Sequence, residues 1–159
     1  MTAPGQVPQT HIDIDASEAF FRLTTESIRQ FSNEHQLYAS ISDVIAARTA
    51  LALEHSRYLD ARMISAHLAA VESHGPVTIQ LTFEEASVEM IDEMREELSQ
   101  IISRALSNVD AISILLFDYI AEQESARLAT RLGFYGDDAK NYRDILQSHR
   151  ENVTKMRTH

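Results

Sequence analysis

The run Ala111-Ile112-Ser113-Ile114-Leu115-Leu116-Phe117-Asp118-Tyr119-Ile120-Ala121 is the most apolar in the chain, and its reading decides the fold. Wound as a helix it is apolar on nearly every side, the pattern of a helix enclosed by other helices. It is too short to span a bilayer, which takes about 20 apolar residues. Ser107 ahead of it and Asp110 three residues on form a capping box, and Gly133 supplies a left-handed stop. The spacing therefore predicts one central helix over 108–132, with the rest of the chain arranged to cover it.

Composition agrees with a helical covering. Only 4 glycines and 3 prolines occur in 159 residues, which favours helices joined by short turns over an all-β sandwich. The length fits a single domain, and a 44% hydrophobic content fits a folded one. Cysteine is absent, which excludes disulfides, thiolate metal sites and cysteine nucleophiles. The formal charge of −10 speaks against nucleic acid and anionic membrane as partners, because both are bound through basic side chains. With neither an N-terminal signal pattern nor a transmembrane run, the cytoplasm is the expected location.

The flanking segments are read outward from that helix. Residues 1–10, with Pro4, Gly5 and Pro8, read as a disordered tail, and 11–159 as a single helical-bundle domain. Residues 11–14 alternate weakly as an extended segment. Asp15 with Glu18 opens a helix over 16–34, whose inner side carries Phe20, Phe21, Thr24, Ile28 and Phe31. Ser40 with Asp43 opens the next. Nothing obvious stops it before Gly75-Pro76, so it is expected to run over 41–73, roughly 50 Å at 1.5 Å per residue.

That long helix changes face along its length. Val44, Ile45, Leu51, Ala52, Tyr58 and Leu59 share one side, whereas Ile64, Leu68 and Val71 sit nearly opposite. Residues 77–83 then alternate without an error, apolar at every odd number, as a half-buried strand does. As a strand it needs a mate, either residues 11–14 or the same segment of a second copy; the alternative is an extended linker laid over the bundle. Further helices are expected over 83–106 (inner face Met90, Met94, Leu98, Ile101 and Ala105) and 138–157 (Tyr142, Leu146, His149, Val153 and Met156). The fold class is all-α: a bundle of about five helices with a short extended segment at 77–83.

Few residues point to chemistry. Glu85, Glu89, Asp92, Glu93 and Glu96 form an acidic face opposite the methionine stripe, suited to a basic partner or simply to solvent. Arg48, His55 and Arg62 recur every seven residues beside the apolar side of the long helix, a basic row that needs carboxylates or an anion. Asp118 is the one charge in the central run and, if buried, must find donors. Glu-x-x-His pairs, phosphate-cradling glycine loops and a Gly-x-Ser-x-Gly elbow are all missing.

The first functional expectation is therefore a non-catalytic, self-assembling protein that works by protein–protein association as a structural subunit, adaptor or chaperone-like partner. Its contact surface would be Arg48, His55, Arg62, Ile64, Leu68, Val71, Val77, Ile79 and Leu81. No cofactor, metal or catalytic residue is assigned on that reading. The alternative is a small-ligand- or metal-binding bundle, enzyme or sensor, with its site near Asp118, His55 and the arginine row. A further alternative is an acidic inhibitor of a nucleic-acid-binding protein.

Overall fold

A computed structural model describes residues 7–122 and 127–157. Its elements in order are β1 (Gln9–Ala16), α1 (Glu18–His35), α2 (Ile41–His55), a 3-10 turn (Ser56–Tyr58) and α3 (Ala61–Ala70). Then come β2 (Val77–Glu84), a second 3-10 turn (Glu85–Ser87), α4 (Val88–Ile102), α5 (Asn108–Glu122), α6 (Leu128–Arg131) and α7 (Gly136–Arg157). The chain is mostly helical with a small two-stranded sheet. None of its described helices is long and apolar enough to cross a membrane.

Helix α5 is the hub. Every residue from Ala111 to Ala121 is buried, and α1, α2, α3, α4 and α7 all pack against it. Its start is set by the Ser107–Asp110 capping box: each backbone N–H donates to the other residue's side chain at 3.1 Å. Of the expected 108–132 helix, 108–122 is α5 and 128–131 the short α6, with Arg127 in a turn before it; residues 123–126 lie outside the described part, and Gly133 turns the chain at φ +97°.

The expected rod over 41–73 is corrected more sharply. It is two helices, because the backbone tightens to a 3-10 turn after His55 and becomes extended at Leu59. Asp60 then caps α3, accepting a hydrogen bond from the Met63 N–H at 2.8 Å. The break re-aims the chain. Val44, Ile45 and Ala52 of α2 face the core, and so do Met63, Ile64 and His67 of α3 and Val71 just beyond it. A straight helix would have put one of those sets in water, which is the reason for the change of face read in the sequence.

The extended segment finds its mate within the chain. β2 pairs antiparallel with β1, with Ile12 opposite Leu81 and Ile14 opposite Ile79. Leu81 and Phe83 are buried on the face toward α2, while Asp13–Gln80 and Asp15–Thr78 hydrogen bonds cross the polar face. Asp15, expected as a helix cap, is therefore a strand residue, and Ser17 caps α1 by accepting from the Phe20 N–H at 3.1 Å. The strand begins at Gln9, inside the segment expected to be a disordered tail; residues 1–6 of that tail lie outside the described part.

Smaller corrections follow the same logic. Phe21, Met90 and Met156 sit at the edges of their helical stripes and are partly exposed, and Ala105 is exposed. α4 buries Ile91, Met94 and Leu98 instead.

Gly75 seats the sheet on the bundle. Its N–H donates to the Asp15 carbonyl at 2.9 Å, and a Cβ there would lie 2.5 Å from the Ser17 Cα and 2.6 Å from the Ala16 carbonyl oxygen. Those obstacles are backbone atoms and cannot rotate away. Gly75→Ala is expected to lower the urea unfolding free energy by about 1–3 kcal/mol; an unchanged midpoint would show that the β1–α1 junction is loose.

Candidate functional site

Among the described residues, two clusters built around buried histidines lie inside the bundle, and they differ in charge. The first is built on His67 of α3. Its Nδ1 lies 3.0 Å from the Tyr142 hydroxyl and its Nε2 2.8 Å from the Ser113 hydroxyl, so two hydroxyls satisfy both ring nitrogens. Burial lowers the imidazole from its ordinary 6.5 to about 3, and it raises the Tyr142 phenol. This cluster is uncharged and locks α3, α5 and α7 together.

The second cluster is charged, and Asp118 of α5 is its centre. The side chain is 1% exposed. His55 Nδ1 from α2 and His149 Nε2 from α7 each lie 2.8 Å from the same oxygen, Oδ1. An ionised carboxylate only accepts, so both of those nitrogens carry a proton. Burial works to raise the Asp118 carboxyl, but the hydrogen bonds and charges of His149 and His55 outweigh it and hold the group below its ordinary range. Three helices thus meet on one oxygen atom.

Arg48 and Glu122 complete the group. Arg48 lies two turns before His55 on α2, and Glu122 one turn after Asp118 on α5, so each pair shares a helix face. Arg48 Nη2 is 2.8 Å from Glu122 Oε1 and 3.6 Å from Asp118 Oδ2, close enough for ion pairing but not aligned as a hydrogen bond. Its guanidinium also sits 4.9 Å above the Tyr119 ring. The Tyr119 hydroxyl donates to Glu34 Oε2 at 2.9 Å, and burial together with that carboxylate raises the phenol.

Not every polar atom here is satisfied. Asp118 Oδ2, His149 Nδ1 and Arg48 Nε are buried without a hydrogen-bond partner. A cleft of about 210 Å³ opens beside them, lined by Asp118, Glu122, His149, Arg150, Val153 and Thr154. One nitrogen of His55 and one oxygen each of Asp118 and Glu122 lie within 4.8 Å of one another, the one such group of possible metal ligands among the described residues. Two carboxylates against one guanidinium leave an excess of negative charge among these groups, which favours a cation beside them.

The residues singled out in the sequence are distributed as follows. Arg48 and His55 come together at Asp118, whereas Arg62 lies beyond the helix break, exposed, at the rim of a groove between α3 and α7. Ile64, Val71 and Leu81 are buried by their own chain, and Leu68, Val77 and Ile79 are half-buried. Glu85, Glu89, Glu93 and Glu96 are exposed on and just before α4, with Asp92 half-buried; none of them reaches the cluster.

Two members were missed. His149 looks in sequence like one more rung of the apolar stripe Tyr142, Leu146, Val153. Its polarity at a buried position was the available signal. Glu122 falls one turn after Asp118, and that spacing was the other.

No protein-family model, curated protein or solved structure matches this chain.

Two outcomes follow from the burial. Between pH 6.5 and about 3 the unfolded chain protonates His67 while the folded chain does not, so this group's share of stability is complete above 6.5 and is lost as the pH falls. From pH 7 to 5 the loss is expected to be about 2 kcal/mol, and His67→Gln should flatten that slope in urea titrations. Asp118→Ala strips α2 and α7 of their common acceptor and should cost about 3–5 kcal/mol at pH 7. A cost under about 1 kcal/mol would mean that the histidines find other partners.

Proposed function

We propose that this chain is a metal-binding helical bundle, with His55, Asp118 and Glu122 as the ligands of a divalent transition cation. The observation that carries this reading is their convergence, from two helices, next to the cleft and to Asp118 Oδ2, a buried oxygen that accepts no hydrogen bond. Spacing favours it. Ligand atoms about 2.1 Å from a tetrahedral zinc ion stand about 3.4 Å apart. His55 Nδ1 lies 2.8 Å from Asp118 Oδ1 and 3.9 Å from Glu122 Oε1, on either side of that figure.

Chemistry favours it as well. One imidazole and two carboxylates suit Zn²⁺, Fe²⁺ or Mn²⁺ better than they suit Mg²⁺ or Ca²⁺, which prefer all-oxygen sites. Binding requires a bare Nδ1 on His55, which the tautomer protonated at Nε2 provides. His149 stays behind Asp118 and orients it, the usual place for a hydrogen-bonding partner of a ligating carboxylate. Three protein ligands leave a coordination position for water or a small ligand on the cleft side, the arrangement of exchangeable and catalytic sites.

Association through a protein partner is the second reading. The break at Asp60 and the β1–β2 pairing cover most of the apolar surface that had suggested it. Its remaining support is the sheet itself, whose two strands each have an edge without a strand neighbour among the described residues. Light scattering at rising concentration would reveal self-assembly, and a constant monomer mass would remove it.

Equilibrium dialysis of the full chain against Zn²⁺, with the bound metal counted, tests the first reading. One ion per chain is expected. Binding should be lost in His55→Ala and Glu122→Gln, retained in the exposed-site variant His74→Ala, and weakened about 10–100-fold in His149→Asn. Binding that survives both ligand substitutions would refute the assignment.

A further inference from the structure

Arg48 lies in the way of the cation just described. Its Nη2 rests 2.8 Å from Glu122 Oε1, the oxygen that also faces His55 Nδ1, and 3.6 Å from Asp118 Oδ2, which otherwise has no hydrogen-bond partner. At Glu122 a guanidinium and a dication would compete for one oxygen, Oε1, and a double and a single charge a few ångströms apart repel each other. Resting on the metal-binding reading, we infer that Arg48 is a built-in counter-cation. It holds Asp118 and Glu122 in place when no metal is bound, and it must withdraw from Glu122 for a metal to enter.

The surroundings of Arg48 suit a group that changes place. Its side chain is 13% exposed, against 1% for Asp118, so it already borders solvent. No hydrogen bond holds its Nε or Nη2. The contact that positions it from the other side is the face of Tyr119, which tolerates sliding better than a bidentate carboxylate pair would. Arg48 therefore sets the affinity of the site without being a ligand. It favours ions that bind strongly enough to displace it, so weakly held Mg²⁺ is excluded and Zn²⁺ admitted.

Zn²⁺ affinity, measured by competition with a chromophoric chelator, tests the role of Arg48 across a set of variants of the full chain. Arg48→Gln, which removes the charge and keeps most of the length, should bind Zn²⁺ about tenfold more tightly or better. Arg48→Lys, which keeps the charge, should stay within about threefold of the parent. Equal or weaker binding by Arg48→Gln overturns the inference. If Glu122→Gln has meanwhile lost binding, the site itself stands and only the role of Arg48 fails; if Glu122→Gln binds like the parent, the site fails and this inference with it. Should Arg48→Gln be too unstable to purify without metal, its urea midpoint supplies the reading. Zn²⁺ should raise that midpoint more than it raises the parent's, and an equal or smaller rise overturns the inference.

Discussion

A carboxylate in the middle of the most apolar helix imposes a condition on everything around it. Asp118 cannot remain ionised at 1% exposure unless donors come to it. They come from both sides, His55 on α2 and His149 on α7, onto one oxygen. α5 is thus held by hydrophobic contact along its whole length and by directional bonds at one point. The apolar contacts would tolerate some sliding of helix on helix. The hydrogen bonds would not, because a shift of one residue moves a side chain about 1.5 Å along the axis and 100° around it. In this structure the cluster sets the register of three helices, and the uncharged His67–Ser113–Tyr142 group repeats the device between α3, α5 and α7.

The interruption between α2 and α3 is the second constraint. A continuous 41–73 helix has apolar residues on two opposed faces, and a single bundle can cover only one. The turn at Ser56–Tyr58 and the Asp60 cap settle the conflict within the chain. His55 is the last residue of α2, where the helix ends against Asp118. Ser56, the next residue, donates to Glu97 of α4 at 2.7 Å. The break therefore serves the core on one side and positions a site residue on the other.

Much of the architecture was legible in the sequence. The central helix could be read from its unbroken apolar run, its start from Ser107 and Asp110, and the extended form of 77–83 from strict alternation, whereas the choice of 11–14 over a second copy as its mate could not. These are local signals that need no knowledge of neighbours. Where two caps competed, as at Asp15 and Ser17, or where a cap lay inside a periodic stretch, as at Asp60, local reading could not decide. Capping energies of about 1 kcal/mol are easily overruled by tertiary packing. The cluster was half visible. Asp118, His55 and Arg48 stood out as charges near apolar faces, but which residues meet is a property of helix packing. His149 and Glu122 carried signals only a completed bundle makes readable.

Histidine ring ¹⁵N chemical shifts recorded while Zn²⁺ is added would test the central claim most directly, because they report each imidazole separately. The expected result is a coordination shift at His55 Nδ1 at the first equivalent, a smaller response at His149, and none at His67. Shifts confined to the exposed His11, His35 and His74, with His55 unmoved, would contradict a metal site at Asp118.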